Sequence, residues 1–76
     1  MTWHESVLNA ITRVTTRTGH RVFSRQDLID TELPRIISET EPGAGTPEQT
    51  LTRILQEMRY KGILQLETPD IYRLLK

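Results

Sequence analysis

The sequence predicts a mostly helical α+β domain in which three helices precede a small C-terminal β-hairpin. Three segments have apolar residues at helical spacing, and each begins at a residue type that caps helices. Two short apolar runs follow at residues 63–66 and 71–75, separated by a Thr-Pro-Asp turn at residues 68–70. The order helix, short strand, helix, helix and hairpin is that of a winged helix-turn-helix, whose hairpin is called the wing. We expect residues 1–76 to form one such domain.

The first helix is predicted to begin after Thr2 and to end at Gly19. Thr2 and Glu5 form a capping box, in which each side chain accepts a hydrogen bond from the backbone N–H of the other residue. The apolar residues form one stripe at helical spacing: Trp3, Val7, Ala10, Ile11 and Val14. Leu8 lies about 140° from Trp3 around the helix, so we expect its side chain to point away from this stripe.

A short extended piece and a second helix are predicted in the middle of the chain. Val22 and Phe23 form the extended piece, which can pair with the edge of a hairpin that is too small to stand alone. Ser24 is an N-cap, with Asp27 three residues later. The helical period then continues to about Thr40 through five apolar residues: Leu28, Ile29, Leu33, Ile36 and Ile37.

Pro34 is predicted to interrupt this second helix. Proline lacks a backbone N–H and its ring clashes with the preceding turn, so we expect a kink or a split near residues 31–34. The sequence Glu-Pro-Gly-Ala-Gly at residues 41–45 has the composition of a loop.

The third helix carries the clearest start and stop signals. Thr46 caps it and Gln49 closes a second capping box, while Pro47 takes the first helical position. Gly62 ends it, so we expect a helix from Pro47 to about Lys61. Its apolar stripe, which we expect to pack against the stripe of the first helix, has four members: Leu51, Ile54, Leu55 and Met58.

The exposed face of the third helix is the candidate base-reading surface. Five side chains lie on or beside the side opposite Leu51: Gln49, Thr50, Arg53, Gln56 and Tyr60. Helix-turn-helix proteins place this face in the major groove, where Gln can pair with adenine and Arg with guanine through two hydrogen bonds. The alternative is an ordinary polar helix face, since Gln and Arg are good helix formers.

Five cationic side chains are candidates for contacts with DNA phosphates: Arg21, Arg25, Arg59, Lys61 and Arg73. Arg25 is expected in the first turn of the second helix, where free N–H groups and the helix dipole favour an anion. Arg21 enters the neighbouring strand, so both can clamp phosphate. The alternative is a solvated surface with local ion pairs, such as Arg25 with Asp27 or Glu32.

The overall charge does not favour DNA binding. Ten Lys and Arg residues are balanced by ten Asp and Glu residues, whereas dedicated nucleic-acid binders are usually basic. The charges are segregated, because residues 13–25 hold four arginines and residues 27–41 hold five acids, so one face can be basic and another acidic. The wing tip carries Glu67 and Asp70, two acids that repel phosphate.

Catalytic, metal and cofactor sites are not indicated. The chain has no cysteine, which excludes disulfides and thiolate metal sites. A Ser-His-Asp set, a paired carboxylate site and a phosphate-binding glycine loop are not evident, and His4 and His20 lack the spacing of metal ligands. We therefore expect a protein that is not an enzyme and that needs no cofactor.

The sequence also predicts where the protein resides and how it associates. No apolar run is long enough to span a bilayer, and the N-terminus lacks the layout of a secretory signal, so we expect a cytoplasmic protein. Leu8, clustered with Ile11, is the candidate surface for a homodimer or a protein partner, and Tyr60 is a further exposed group.

Three stretches carry a resemblance to a known family. They are Phe23-Ser24-x-x-Asp27-Leu28, then Leu51-x-x-Ile54-Leu55-x-x-Met58-Arg59-x-x-Gly62-Ile63-Leu64, and finally Tyr72-Arg73. On this pattern, roughly residues 3–75 resemble the winged-helix domain that ends the Dam-replacing, methyl-directed restriction endonucleases. The resemblance implies that the third helix enters the major groove with four side chains: Gln49, Thr50, Arg53 and Gln56. In the nuclease members this domain helps to recognise adenine-methylated DNA.

The sequence thus predicts a DNA-binding protein, either a small transcriptional regulator or the reader module of a restriction-like system. The alternative is a protein-interaction module that docks another chain through the acidic second helix. In that case Asp30 and Glu32 would lie on its surface, and reversing their charges would leave the fold intact. A gel-shift experiment with random duplex DNA at low salt separates the two hypotheses.

Overall fold

The computed structural model describes residues 2–40 and 45–75 and confirms the predicted fold class. Its elements are α1 (Trp3–Thr18), β1 (Val22–Ser24), α2 (Arg25–Asp27), a π-helical turn (Leu28–Glu32), α3 (Leu33–Glu39), α4 (Pro47–Tyr60), β2 (Leu64–Thr68) and β3 (Ile71–Leu74). The run from α2 through the π-helical turn to α3 is the predicted second helix, and α4 is the predicted third. Residues 41–44 of the predicted loop lie outside the described residues.

α1 begins and ends at the predicted caps. The Thr2 hydroxyl accepts a hydrogen bond from the Glu5 N–H at 3.2 Å, and the Glu5 carboxylate accepts one from the Thr2 N–H at 3.3 Å. Gly19 adopts φ 75° at the C-terminus, a left-handed conformation that glycine enters without steric cost. The predicted stripe points into the core, and Leu8 lies outside it, 38% exposed.

The second helical run starts at Ser24, whose hydroxyl accepts a hydrogen bond from the Asp27 N–H at 2.9 Å. The predicted break before Pro34 takes the form of the π-helical turn, in which the Leu33 N–H donates to the Leu28 carbonyl five residues earlier. This wider turn allows Pro34 to lie in the first turn of α3, where its missing N–H leaves no helical hydrogen bond unmade.

The core lies where the helices meet the inner face of the sheet. The predicted stripe of α4 is buried, and its residues belong to the same apolar cluster as Val7 and Ile11 of α1. Phe23 and Tyr72 stack in this cluster with their ring centroids 5.9 Å apart. Trp3 packs against the cluster and keeps part of its surface exposed. The predicted packing of α4 against α1 is therefore confirmed.

A three-stranded antiparallel sheet, in the order β1-β3-β2, closes the fold. Tyr72 of the central strand lies opposite Phe23 of β1 and Leu66 of β2. The expected pairing of the short extended piece with the hairpin is thus confirmed, because β1 pairs with β3. The hairpin strands have five and four residues, so the wing is short.

A hydrogen bond between α1 and α3 should make stability depend on pH. The buried Ser6 hydroxyl donates to Oε1 of Glu39 at 3.0 Å. This bond lowers the pKa of Glu39 from its ordinary value of 4.5, and Arg35 contributes to the same shift. A carboxyl group whose pKa is lowered by folding stabilises the fold above its unfolded pKa, and this stabilisation is lost as the pH falls through the folded pKa.

We therefore expect the melting temperature to fall as the pH drops below 4.5, with part of the fall due to Glu39. Replacing Ser6 with alanine should reduce the difference between the melting temperatures at neutral and acid pH. Thermal melts monitored by circular dichroism across this pH range test the prediction. Ser38→Ala is the matched control, because the Ser38 hydroxyl bonds the Arg35 carbonyl rather than Glu39. Identical pH profiles for the two variants would contradict the prediction.

Candidate nucleic-acid interface

The exposed face of α4 presents one cationic side chain at its centre, Arg53. Its side chain is exposed, and within residues 2–40 and 45–75 it forms no ion pair or hydrogen bond. Tyr60 lies on the same face near the C-terminal end and is 79% exposed. A guanidinium held on a helix in this way keeps all its N–H donors available for an external acceptor.

The two glutamines on this face are already engaged in the folded protein. Oε1 of Gln49 accepts a hydrogen bond from the Thr46 N–H at 3.1 Å, which completes the cap of α4. Gln56 is half-buried, and its amide donates to the Tyr72 hydroxyl at 3.3 Å while accepting from Arg59 at 3.4 Å. Pairing with adenine through two hydrogen bonds needs both the oxygen and the nitrogen of the amide. For either glutamine to read adenine in this way, it would have to share or replace these bonds.

Thr50 does not belong to the base-reading face. It is 3% exposed, and its hydroxyl donates to the Thr46 carbonyl at 3.2 Å. The apolar side of α4 is broader than the four-residue stripe, so a position about 100° from Leu51 is still covered by neighbouring elements. Thr52, on the other flank, is partly exposed, and its hydroxyl donates to the Glu48 carbonyl at 2.9 Å.

Arg25 is held by the wing and by α4. Its Nε lies 3.4 Å from Oδ1 of Asp70, and its Nη1 donates to the Thr52 hydroxyl at 3.5 Å. The Arg25 backbone N–H also donates to the Asp70 carbonyl at 2.9 Å. The acid that pairs with Arg25 is therefore Asp70 of the wing, and not Asp27 or Glu32 as the local alternative proposed.

The remaining candidate phosphate-binding residues differ in whether another side chain of the fold already binds them. Arg73 of β3 forms an ion pair with Glu67 of β2. Arg59 bonds Gln56 as described above, and its guanidinium lies 5.9 Å from the centroid of the Tyr60 ring. Arg21 and Lys61 are exposed and form no ion pair with another described residue. Of the five candidates, Arg21, Arg59 and Lys61 form no ion pair with another described residue, and Arg59 is held only by the neutral groups of Gln56 and Tyr60.

Arg21 and Arg25 flank β1 at its two ends. The Arg21 carbonyl accepts a hydrogen bond from the Leu74 N–H at the last residue of β3, whereas Arg25 meets Asp70 at the turn before β3. Three extended residues separate them, which corresponds to roughly 13 Å along the strand. The two arginines therefore lie at opposite ends of the strand, and of the two only Arg25 is held by an acid of the described residues, Asp70.

The wing tip is joined to the start of the second helical run through Asp70, whereas Glu67, Thr68 and Pro69 are exposed. Both of its acids are paired with arginines, Glu67 with Arg73 and Asp70 with Arg25. The repulsion of phosphate expected from these acids is thereby reduced, but so is the positive charge of the two arginines.

The expected separation into a basic face and an acidic face is wrong at Glu32. Glu32 is 6% exposed and is the last residue of the π-helical turn, where its carboxylate faces the arginines of α1. Arg13 donates from Nε to Oε1 of Glu32 at 2.8 Å, and Nη1 of Arg17 lies 3.8 Å from the other carboxylate oxygen. Two of the four arginines in the basic stretch thus neutralise a buried acid. Pattern reasoning missed this triad because its members are separated along the chain.

The apolar partner surface predicted at Leu8 and Ile11 is smaller than expected. Ile11 is completely buried, so it cannot form an exposed cluster with Leu8. Ile37 and Leu75 are 47% and 46% exposed, and neither was singled out from the sequence. Leu8 is therefore exposed as predicted, but Ile11 does not extend the apolar surface around it.

An open pocket of about 380 Å³ lies between the start of the second helical run and the N-terminal half of α4. Five residues line it: Arg25, Glu48, Gln49, Thr52 and Arg53. Arg25, expected at phosphate, and Arg53, expected at a base edge, thus border one recess. A backbone phosphate and the adjacent groove edge of one nucleic acid can contact the two side chains together.

The described residues contain no cluster of His, Asp and Glu side chains fit to hold a metal ion. His4 instead lies 3.0 Å from Glu57 of α4, between Nε2 and Oε2. None of the helices in the described ranges combines the length and the apolar character that a bilayer span requires.

Comparison of the chain with protein-family models, curated proteins and solved structures finds no match. The resemblance to the endonuclease winged-helix domain therefore stays a prediction.

Proposed function

We propose that this domain binds duplex DNA, with α4 in the major groove and Arg53 as its principal base-reading residue. The observation that carries this proposal is the position of Arg53 at the centre of an exposed helix face with all its donors free. Arginine in the major groove binds guanine through O6 and N7, the commonest specific contact between proteins and DNA. The preferred site is accordingly expected to contain a guanine rather than the adenines that Gln49 and Gln56 would have read.

Three cations, Arg21, Arg25 and Lys61, supply the phosphate contacts in this proposal. Lys61 lies at the C-terminal end of α4, Arg21 at the start of β1, and Arg25 beside the N-terminal half of α4. α4 has 14 residues and is about 21 Å long, and Arg25 and Lys61 lie towards its two ends. Arg21 lies at the other end of β1 from Arg25, near the C-terminal end of α1. Contacts with phosphate set the register and orientation of the protein and carry no sequence information. A small regulator and the reader module of a restriction-like system both fit this arrangement.

Replacing Arg53 with alanine is the experiment that tests the proposal. We expect the variant to lose about 1–3 kcal/mol of binding free energy on a preferred duplex and much less on a random one. A preferred sequence is first selected from a random duplex library, and affinities are then measured by fluorescence anisotropy. The quantity that decides is the ratio of the affinities for preferred and random duplexes, since loss of charge alone weakens binding to both.

Arg21→Ala is the matched control, because it removes the same charge from an exposed arginine outside α4. It should weaken binding to every duplex equally and flatten the plot of log affinity against log salt by about one unit. If Arg53→Ala behaved in the same way, α4 would not be reading bases. If the wild type bound no duplex at about 50 mM salt, where electrostatic binding is strong, the proposal would have to be abandoned.

A protein-docking function is the second candidate, and the pairing of charges favours it. Arg25 and Arg73 are paired with the acids of the wing, and the chain has no net charge. The acidic surface first proposed for docking is smaller than expected, because Glu32 is buried and Asp30 is the exposed member of that pair. This function becomes the better one if the DNA-binding measurement fails.

A further inference from the structure

The contact between the wing turn and Arg25 has the geometry of an anion site that is already filled. Arg25 meets the Asp70 carboxylate on one side and the Thr52 hydroxyl of α4 on the other. The Thr52 hydroxyl uses its proton to bond the Glu48 carbonyl, so its oxygen faces Arg25 as an acceptor. Thr52 therefore orients the guanidinium beside the pocket that Arg53 also borders.

The ion pair itself is loose enough to exchange. Its N–O distance of 3.4 Å is longer than that of a close charge-assisted hydrogen bond, about 2.7–2.9 Å. The side chains of Arg25 and Asp70 are 33% and 46% exposed, so water already reaches both charges. Exposed pairs of this kind contribute little to stability, and a competing anion can replace the carboxylate at low cost.

We propose that Asp70 occupies the position that a backbone phosphate of duplex DNA takes on Arg25, and that binding exchanges the carboxylate for the phosphate. This inference rests on the proposed function, because it names a phosphate subsite of the same interface. A phosphate oxygen accepts from a guanidinium as a carboxylate oxygen does, so the side chain need not reorient when the exchange occurs. Asp70 thus keeps Arg25 extended towards α4 and at the same time weakens binding.

The acid Glu48 borders the same pocket and restricts where the phosphate can lie. An anion in the pocket is repelled by this carboxylate, which favours a phosphate on the side of Arg25 where the Asp70 carboxylate now lies. The wing backbone is not required to move, since the hydrogen bond from the Arg25 N–H to the Asp70 carbonyl is independent of the side chain.

Asp70→Asn tests the exchange, because it removes the charge and keeps the shape of the side chain. We expect this variant to bind a random duplex about two- to fivefold more tightly than the wild type, the range that corresponds to loss of one exposed ion pair. The same substitution in an Arg25→Ala background should give no increase. Affinities of the four proteins, measured by fluorescence anisotropy at one salt concentration, complete a double-mutant cycle. Circular dichroism melts check that each variant is folded.

Asp30→Asn is the matched control for the change in net charge. Asp30 is an exposed acid on the π-helical turn, and its carboxylate accepts a hydrogen bond from Gln26 at 2.9 Å. If Asp70→Asn and Asp30→Asn strengthened binding equally, or if the gain persisted without Arg25, the exchange would be disproved while DNA binding stood. If neither the wild type nor Asp70→Asn bound duplex, the proposed function and this inference would both be disproved.

Discussion

Truncating Leu55 to alanine is expected to leave little folded protein at physiological temperature. Leu55 has no exposed surface and lies in the α4 stripe that the core cluster shares with α1. Replacing a buried leucine with alanine costs about 2–5 kcal/mol, because transfer free energy is lost and a cavity remains. At roughly 0.05–0.15 kcal/mol per residue, a chain of 76 residues has only about 4–11 kcal/mol of stability in total. Urea denaturation followed by circular dichroism measures the loss.

Leu8→Ala is the control for this prediction. Leu8 is the same residue type on a helix, but it lies off the buried stripe and is 38% exposed. Its truncation should change stability by no more than about 0.5 kcal/mol. Equal losses of stability for the two variants would show that the α4 stripe is not part of the core. Arg53 would then not be shown to lie on the exposed side of α4.

Short-range signals account for the parts of the fold that could be predicted. The caps at Thr2 and Thr46 involve partners three residues away, and the exit at Gly19 depends on the conformation of one residue. The break before Pro34 follows from the covalent structure of proline. Such interactions are decided locally, so they can be read from the sequence without knowing how the elements pack.

The charged contacts could not be predicted, because they join residues that only the tertiary fold brings together. Arg25 and Asp70 are 45 positions apart, and Arg13 and Glu32 are 19 apart. With ten cations and ten acids in the chain, proximity in sequence does not select the partners. The nearest acids to Arg25 were therefore the natural choice, and they were the wrong ones.

The role of Gln49 could have been corrected from the sequence alone. Gln49 was assigned both to the cap of α4 and to the base-reading face, although capping folds its side chain back to Thr46 and reading a base requires it to extend from the helix. The burial of Thr50 had no such signal, since it depends on how far the neighbouring elements wrap around α4. Arg53 remains on the candidate face because it is exposed, and it forms no ion pair with another described residue.

Reversing the charge of Glu32 is expected to destabilise the fold strongly. Its side chain is 8% exposed, and Arg13 lies against it with Nη2 2.6 Å from Oε1. A lysine at this position would place three cations together in the space between α1 and the π-helical turn. Removing one partner of a buried pair typically costs about 3–5 kcal/mol, and the 30% exposure of Arg13 favours the lower end of that range. Asp30→Lys, at an exposed position two residues away, should leave the melting temperature nearly unchanged.

A compensating double variant separates the loss of the ion pair from the loss of packing. Glu32→Leu leaves Arg13 without the carboxylate that offsets its desolvation, so we expect a stability loss close to that of other single-partner deletions. Adding Arg13→Met removes this stranded charge and fills a similar volume with apolar atoms, which often restores stability. Arg17 is 55% exposed and can turn to solvent, so it should not prevent the recovery. Urea denaturation of both variants gives the two free energies, and a double variant no more stable than Glu32→Leu would show that packing, rather than the charge of Arg13, determines the loss.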